Sequence, residues 1–209
     1  MKTMLTIEDL KAIFVRCSDI MNENRQALLD LDAACGDGDL GLTMTKGFAA
    51  AAEAARNYSG NDAGKLLLAA GIAIAGSAPS TMGTLIASGF MRASKETAGR
   101  EAMATGDCAA MMISFLEGLM ARGKSKPGEK TIIDSLMPAA EALKQGEGKS
   151  LAEAWAGAMN AAMQGVERAR GMRAVHGRAA YYGDASIGKD DGGARVGMLI
   201  VKAFAEYVA

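Results

Sequence analysis

Residues 66–91 read LLLAAGIAIAGSAPSTMGTLIASGFM and contain no charged side chain. This stretch is long enough for a membrane-spanning helix. However, Gly76-Ser77-Ala78-Pro79-Ser80-Thr81 lies in its middle, and a hydroxyl-rich, helix-breaking turn at mid-bilayer would leave polar groups in hydrocarbon. The stretch therefore predicts two buried helices joined by a polar loop.

Similar apolar stripes with three- and four-residue spacing run through most of the chain. They predict about eight helices, over residues 10–21, 48–55, 66–74, 82–91, 108–119, 132–143, 151–166 and 196–207. Runs of β-branched or aromatic residues are few, and alternating segments are absent from the sequence. The predicted fold class is therefore all-α, a bundle or barrel of antiparallel helices.

Four polar signals predict where helices begin. Thr6-x-x-Asp9, Thr131-x-x-Asp134 and Ser150-x-x-Glu153 each pair a capping hydroxyl with an acidic residue three positions later. Asp107 stands directly ahead of the stripe that begins at Cys108 and offers another side-chain oxygen to unpaired amides. Short links between such helices favour antiparallel neighbours.

Composition favours one cytoplasmic domain over residues 1–209. Half of the 209 residues are hydrophobic and the net charge is −1, with charges dispersed along the chain, so a nucleic-acid-binding face is not expected. Three cysteines, an odd number, fit a reducing compartment. Acidic residues near the N-terminus argue against a signal peptide, and we expect no membrane partner.

Two segments depart from the helical pattern, 30–41 and 176–193, and both are rich in Gly and Asp. Long irregular loops in a compact domain are usually functional. The first segment contains Asp32, Asp37 and Asp39, separated by glycines that let backbone and carboxylates converge. A divalent cation such as Mg²⁺ would neutralise their mutual repulsion. An Asp- and Gly-rich turn without a metal is an alternative of similar weight.

Three motif matches are rejected. Gly36-x-Gly38-x-x-Gly41 fits the dinucleotide fingerprint, but no strand precedes it. A calcium loop starting at Asp37 would need Glu where Phe48 stands. Residues 146–150, GEGKS, imitate a Walker sequence whose first glycine is replaced by Leu143, so we expect them only to open a helix.

Four blocks of the sequence together resemble the nucleotide-binding L subunit of dihydroxyacetone kinases, which also occurs as the C-terminal domain of single-chain enzymes. The blocks are residues 31–39 (LDAACGDGD), 76–84 (GSAPSTMGT), 126–134 (KPGEKTIID) and 177–194 (GRAAYYGDASIGKDDGGA). Their order and spacing cover nearly the whole chain. The resemblance implies a closed, antiparallel barrel of eight helices with the nucleotide at one end.

The resemblance also implies site residues. Asp32, Asp37 and Asp39 would hold Mg²⁺ bridging the phosphates of ADP or ATP, and no side chain would act as a catalytic nucleophile. The residues implied to border the nucleotide are Leu40, Gly41, Leu42, Thr43, Ser77, Ala78, Gly123, Thr131, Ile132, Arg178, Asp191, Gly192 and Gly193.

These residues have different implied places. Ser77 and Ala78 would lie beside the phosphates, and Thr131 and Ile132, with Gly123, would line the adenosine pocket. Arg178 and residues 191–193 would close over it; the alternative for Arg178 is a surface salt bridge. His176, the single histidine, is expected to be structural or to lie at the pocket rim.

The implied function is that of a kinase subunit that transfers phosphate to a small ketose held on a separate K-type subunit. The phosphate would come from ATP, or from ADP recharged by a phosphotransferase-system phosphoprotein; a homodimer is compatible with the sequence. Leu40 occupies a position where the family usually has His. This difference leaves a second hypothesis, that the chain is a nucleotide-sensing adaptor without kinase activity. A third hypothesis is a helical protein whose Asp cluster binds a cation for stability alone.

Overall fold

The apolar stripes fold as α-helices, which confirms the all-α prediction. The computed structural model describes residues 2–209, and the elements in that range are β1 (Leu5–Thr6), α1 (Ile7–Glu23), α2 (Arg25–Ala33), α3 (Leu40–Asn57), α4 (Ala63–Ser77), α5 (Thr81–Glu96), β2 (Ala102–Met103), α6 (Thr105–Gly123), α7 (Ile133–Gln145), α8 (Leu151–Arg170), a 3-10 helix (Arg178–Ser186) and α9 (Gly192–Val208). The strands β1 and β2 form one short antiparallel pair.

Eight helices form a closed antiparallel ring. α1, α3, α4, α5, α6, α7, α8 and α9 each pack against the next, and α9 packs against α1. At this last contact, Tyr207 near the end of α9 donates to Asp9 near the start of α1 (2.6 Å). Arg16 in α1 also pairs with Glu206 (2.7 Å). The structure thus has the predicted eight-helix ring, with α2 as an additional helix packed on α3 and α9.

The uncharged stretch 66–91 forms two helices, as predicted. α4 ends at Ser77 and α5 begins at Thr81, and the Ser80 hydroxyl caps α5 by accepting from the Gly83 amide (3.0 Å). The two helices approach closely where Gly71 has no side chain: a Cβ there would lie 3.2 Å from Cβ of Phe90 in α5. Among residues 2–209, no helix is long and apolar enough to cross a membrane.

Aromatic side chains fill two parts of the core. Phe90 contacts Phe14, Phe48 and Phe115, with ring centroids 4.8 to 6.5 Å apart. Trp155 in α8 is fully buried and stacks on Phe204 of α9, with centroids 4.4 Å apart. Edge-to-face and stacked pairs of this kind add to the hydrophobic free energy of burial. These contacts hold the inward faces of the ring together.

Two of the four predicted capping signals form complete capping boxes. Thr6 and Asp9 form a capping box at α1, and Ser150 and Glu153 form one at α8. Thr131 and Asp134 do not form one at α7: the Asp134 carboxylate accepts from the Thr131 amide (2.7 Å), but the Thr131 hydroxyl accepts from the Ile133 amide. Asp107 does not precede α6 as predicted but lies in its first turn, where its carboxylate accepts from the Ala104 amide (2.9 Å). Each interaction satisfies an amide that has no partner inside its helix.

The alternating ring gives the molecule two different ends. We call the end where α3, α5, α7 and α9 begin the carboxylate end; it carries the links 34–39, 78–80, 124–132 and 171–191. The opposite end carries the β1–β2 pair and the link 146–150, where the Leu151 amide contacts the Lys2 carbonyl. All sixteen predicted site residues lie on the links and helix ends of the carboxylate end.

Candidate functional site

Three carboxylates converge where α2 turns into α3. Asp32 lies in the last turn of α2, and one of its oxygens accepts from the amides of Asp39 (2.9 Å) and Leu40 (3.2 Å). Asp32, Asp37 and Asp39 can each place an oxygen within 4.8 Å of the other two. Gly38 has φ +75°, a backbone conformation that favours glycine, so the spacing of glycines permits this tight turn.

The cluster has the electrostatics of a cation site. Burial raises the pKa of Asp39, the nearby charges of Asp37 and Asp32 raise it further, and Arg178 opposes them. The Arg178 guanidinium lies 3.0 Å from the Asp37 carboxylate. Carboxylate oxygens with room for water and phosphate ligands are what Mg²⁺ prefers. The three residues therefore fit a bound Mg²⁺.

Arg178 is presented by residues 171–191, which we call the Arg178 loop. This loop connects α8 to α9 and contains the 3-10 helix. Together with Cys35 and Gly36 of the link 34–39, the residues Arg178, Tyr181 and Tyr182 line a cavity of about 270 Å³ beside the carboxylates. A larger cavity of about 580 Å³, between α8 and α9, contains none of the predicted site residues.

The start of α9 forms a second side of the site. The Asp191 carboxylate caps α9 by accepting from the Ala194 amide (2.6 Å). Burial raises the pKa of Asp191 to about 6, and the hydrogen bond from Ala194 and the charge of Lys130 oppose this rise. Gly193 lies against Ile132, since a Cβ on it would be 3.0 Å from the Ile132 amide nitrogen. Ile132 and the turn at residues 191–193 therefore lie next to each other.

Leu40 is buried and contacts the same turn. A Cβ on Gly192 would lie 2.7 Å from Cδ2 of Leu40. Gly41 is also buried, Thr43 is partly buried and Leu42 is exposed. At the position where the family usually has His, this chain therefore has an apolar side chain directed into packing.

The remaining predicted residues lie around the same end without touching the carboxylates. Ser77 is exposed at the end of α4, and Ala78 is buried against Gly47 of α3. Gly123 ends α6, where Leu85 of α5 lies close to it. The Thr131 hydroxyl accepts from the Ile133 amide (3.2 Å). Within residues 2–209, no hydrogen bond joins Ser77 or Thr131 to the three aspartates.

Two contacts at this end were not predicted from the sequence. Lys130 is buried and donates hydrogen bonds to backbone carbonyls of the Arg178 loop and its flanks. His176 places Nε2 2.6 Å from the Glu129 carboxylate, so a second pair joins the same two segments. The block 126–134 contains both Glu129 and Lys130, but spacing alone does not indicate what they contact.

The fold and this arrangement define a class of protein: a closed ring of antiparallel helices whose candidate ligand site is built from the links at one end. A family model described as the DAK2 domain matches residues 34–206. The chain belongs to the DAK2 domain family. The match includes Asp37 and Asp39 and begins two residues after Asp32.

Individual relatives agree with this family. The chain is 32% identical to the ADP-binding subunit DhaL of the PEP-dependent dihydroxyacetone kinase of Escherichia coli (strain K12), over 91% of each chain. It is 30% identical to L-erythrulose 1-kinase of Mycolicibacterium smegmatis, over 96% of this chain and 35% of that protein. The structure is similar to the crystal structure of the dihydroxyacetone kinase of C. freundii, with a TM-score of 0.74 and 22% identity. That alignment covers 94% of this chain and 34% of that one, and it supports the fold.

Proposed function

We propose that this chain binds ADP or ATP with Mg²⁺ at the carboxylate end and is the phosphoryl-transferring subunit of a dihydroxyacetone or related small-ketose kinase. The observation that carries the proposal is the convergence of Asp32, Asp37 and Asp39 within 4.8 Å in a DAK2 domain. The E. coli relative is named an ADP-binding subunit, and a second C. freundii structure contains AMP-PNP and Mg²⁺. Both support a magnesium nucleotide as the ligand.

The site needs no protein nucleophile to perform this chemistry. Phosphoryl transfer depends mainly on positioning and on neutralising the charge of the transferred group. The three aspartates would hold Mg²⁺ against the phosphates, and Arg178 would place a positive charge beside them. Ser77 would contribute a hydroxyl donor next to the phosphates, and Gly123, Thr131 and Ile132 would border the adenosine.

The proposed partner is a K-type subunit that holds the ketose. Relatives include subunits named PEP-dependent in E. coli and PTS-dependent in Lactococcus lactis, which supports a phosphotransferase-system phosphoprotein as the phosphate source. The proposed location is the cytoplasm. Other relatives are named L-erythrulose and D-erythrulose kinases, so a four-carbon ketose is a second substrate to assay. These assemblies and substrates are proposed here for this chain.

Leu40 favours one alternative, a nucleotide-sensing adaptor without kinase activity. Its side chain is only 7% exposed and carries no polar group that could contact a phosphate. An adaptor would keep the magnesium nucleotide but would not support turnover when a ketose-binding subunit and a phosphate donor are supplied. A reconstituted kinase assay therefore separates the two functions.

The first test is thermal unfolding of the nucleotide-free chain with ADP or ATP, each with and without Mg²⁺. Ligand at about 100 times its dissociation constant adds roughly 2.7 kcal/mol to the free energy of unfolding, which gives a readable rise in Tm. We expect a rise that requires both nucleotide and metal. The absence of any rise with either nucleotide would reject the proposed function.

A further inference from the structure

The ends of the Arg178 loop lie side by side and form a closed neck. The Gly188 amide donates to the Arg170 carbonyl (2.8 Å), and the Ala174 amide donates to the Ser186 hydroxyl (2.9 Å). Both bonds connect the part of the loop that leaves α8 to the part that returns to α9. Compact surface loops whose ends lie close together are frequently functional.

Lys130 reaches this neck from a different segment, the link 124–132. Its residue is only 4% exposed, and Nζ donates to four backbone carbonyls, those of Arg170 (3.1 Å), Met172 (3.2 Å), Ser186 (2.8 Å) and Lys189 (2.7 Å). Two of these carbonyls lie on each side of the neck. An ammonium has three N–H donors, so at least one of them is shared between two of the four carbonyls, and all of its hydrogen-bonding capacity is directed at the neck.

The cost of this arrangement indicates that it has a specific role. Lys130 has φ +59°, a conformation that is uncommon outside glycine. Burial lowers the pKa of its ammonium, and the charge of Asp191 is the main opposing effect. A buried charge contributes little to net stability compared with an apolar residue of similar size. Its hydrogen bonds can instead select one arrangement of the segments that they join, here the two sides of the neck.

Arg178 lies within the part of the loop that the neck closes. The 3-10 helix begins at Arg178 and ends at Ser186, whose carbonyl and hydroxyl are both held at the neck. Across the site, Arg178 contacts Asp37 at 3.0 Å. Gly183, with φ +52°, kinks this segment between Arg178 and Ser186. On the other side, Ala174 is held at the neck four residues before Arg178, so the neck constrains the chain on both sides of the guanidinium that faces the carboxylates.

We infer that Lys130 is a positioning residue: by joining both sides of the neck, it holds Arg178 opposite the carboxylate cluster for contact with a magnesium-bound nucleotide. The inference rests on the proposed function and deepens it. It differs from a purely stabilising role because the effect of Lys130 on nucleotide binding must pass through Arg178.

The test compares Lys130→Met with Lys124→Met in the full chain. Lys124 is a matched control because it lies in the same link and has φ 53°, but its side chain is exposed. Hydrogen exchange of residues 171–191 should accelerate in Lys130→Met and not in the control. Affinity for Mg-ADP should fall roughly tenfold in Lys130→Met. In an Arg178→Met background, the same Lys130 substitution should change affinity less than about twofold.

The outcomes separate this inference from the proposed function. If the unsubstituted chain binds Mg-ADP but the Lys130 and Arg178 effects add, or if Lys130→Met matches its control, Lys130 is not a positioning residue. If the unsubstituted chain does not bind Mg-ADP, the proposed function fails and the inference fails with it. Should Lys130→Met not fold, Lys130→Gln keeps two neutral donors and should give the same pattern with smaller changes; additive effects there would equally overturn the inference.

Discussion

Arg178 lies 3.0 Å from Asp37, measured from Nη2 to Oδ2, and this contact joins the Arg178 loop to the turn between α2 and α3. The side chains are 65% and 44% exposed, so the pair contributes at most about 1 kcal/mol to the free energy of unfolding. Its importance is electrostatic. Asp37 has one cationic neighbour, Arg178, and two anionic neighbours, Asp32 and Asp39.

Asp37→Asn should abolish magnesium-dependent nucleotide binding and leave the helical fold intact. The substitution removes a charged oxygen ligand while relieving repulsion among three carboxylates. Calorimetric titration with Mg-ADP measures the loss, and circular dichroism checks the fold. Asp184→Asn is the matched control, since Asp184 is an exposed aspartate of the Arg178 loop paired with Arg173 outside the cluster. Unchanged affinity in Asp37→Asn would refute the metal assignment.

Asp191→Asn should change how stability depends on pH. Burial raises the pKa of Asp191 to about 6, above the usual 3.8, so the native state binds this proton more tightly than the unfolded state. The free energy of unfolding contributed by Asp191 therefore falls as pH rises between about 4 and 6, by up to roughly 3 kcal/mol. Asn can still cap α9 but does not titrate.

Urea unfolding at several pH values between about 4 and 7 measures this effect. The unsubstituted chain should lose stability across this interval relative to Asp191→Asn. Parallel pH profiles for the two proteins would show that the Asp191 carboxyl is not perturbed.

Ser150→Ala should destabilise the chain by roughly 1 kcal/mol without changing affinity for nucleotide. Ser150 caps α8 by accepting from the Glu153 amide (3.3 Å), at the end of the ring opposite the carboxylates. Chemical denaturation and Mg-ADP titration measure the two properties separately. Loss of nucleotide binding would restore the Walker-type hypothesis for residues 146–150.

Gly165→Ala should destabilise the packing of α8 against α7. A Cβ at Gly165 would overlap the Asp134 carbonyl and lie 2.8 Å from Cα of Ser135, both of them backbone atoms, so relief requires a helix to move. We expect a loss of about 1 to 3 kcal/mol. Gly157→Ala in the same helix has open space around its Cβ and should stabilise by up to about 1 kcal/mol. Equal Tm shifts in the two variants would contradict this packing.

The sequence predicted most of the fold because the helices carry long apolar stripes. It also predicted the interruption at 76–81, since hydroxyls and Pro79 cannot continue a buried helix. The predicted loop 30–41 was too long: α2 extends to Ala33, and only residues 34–39 separate it from α3. Leu28 is the one fully buried residue of α2. This short helix therefore lacks the apolar stripe from which the other helices were predicted.

The candidate site was predicted in part for similar reasons. The three aspartates are close in sequence, so their convergence could be predicted, and the structure places them together. Lys130 gave no such signal, because its four acceptors are backbone carbonyls at least forty positions away. Every residue has a backbone carbonyl, so the sequence does not indicate which carbonyls accept from Lys130. The positive φ of Lys130 is also set by tertiary contacts.

The closure of the ring by α1 and α9 has a consequence for the order of folding. Every other neighbouring pair in the ring is adjacent in sequence or separated only by α2, and the longest direct link is the Arg178 loop, so those pairs form by more local contacts. The α1–α9 contact joins residues nearly two hundred positions apart, as in Tyr207 with Asp9, and has a larger loop-closure entropy than any other neighbouring pair in the ring. Gly192, at the start of α9, lies against Leu40, at the start of α3, so this side of the carboxylate end also depends on a contact between distant parts of the chain.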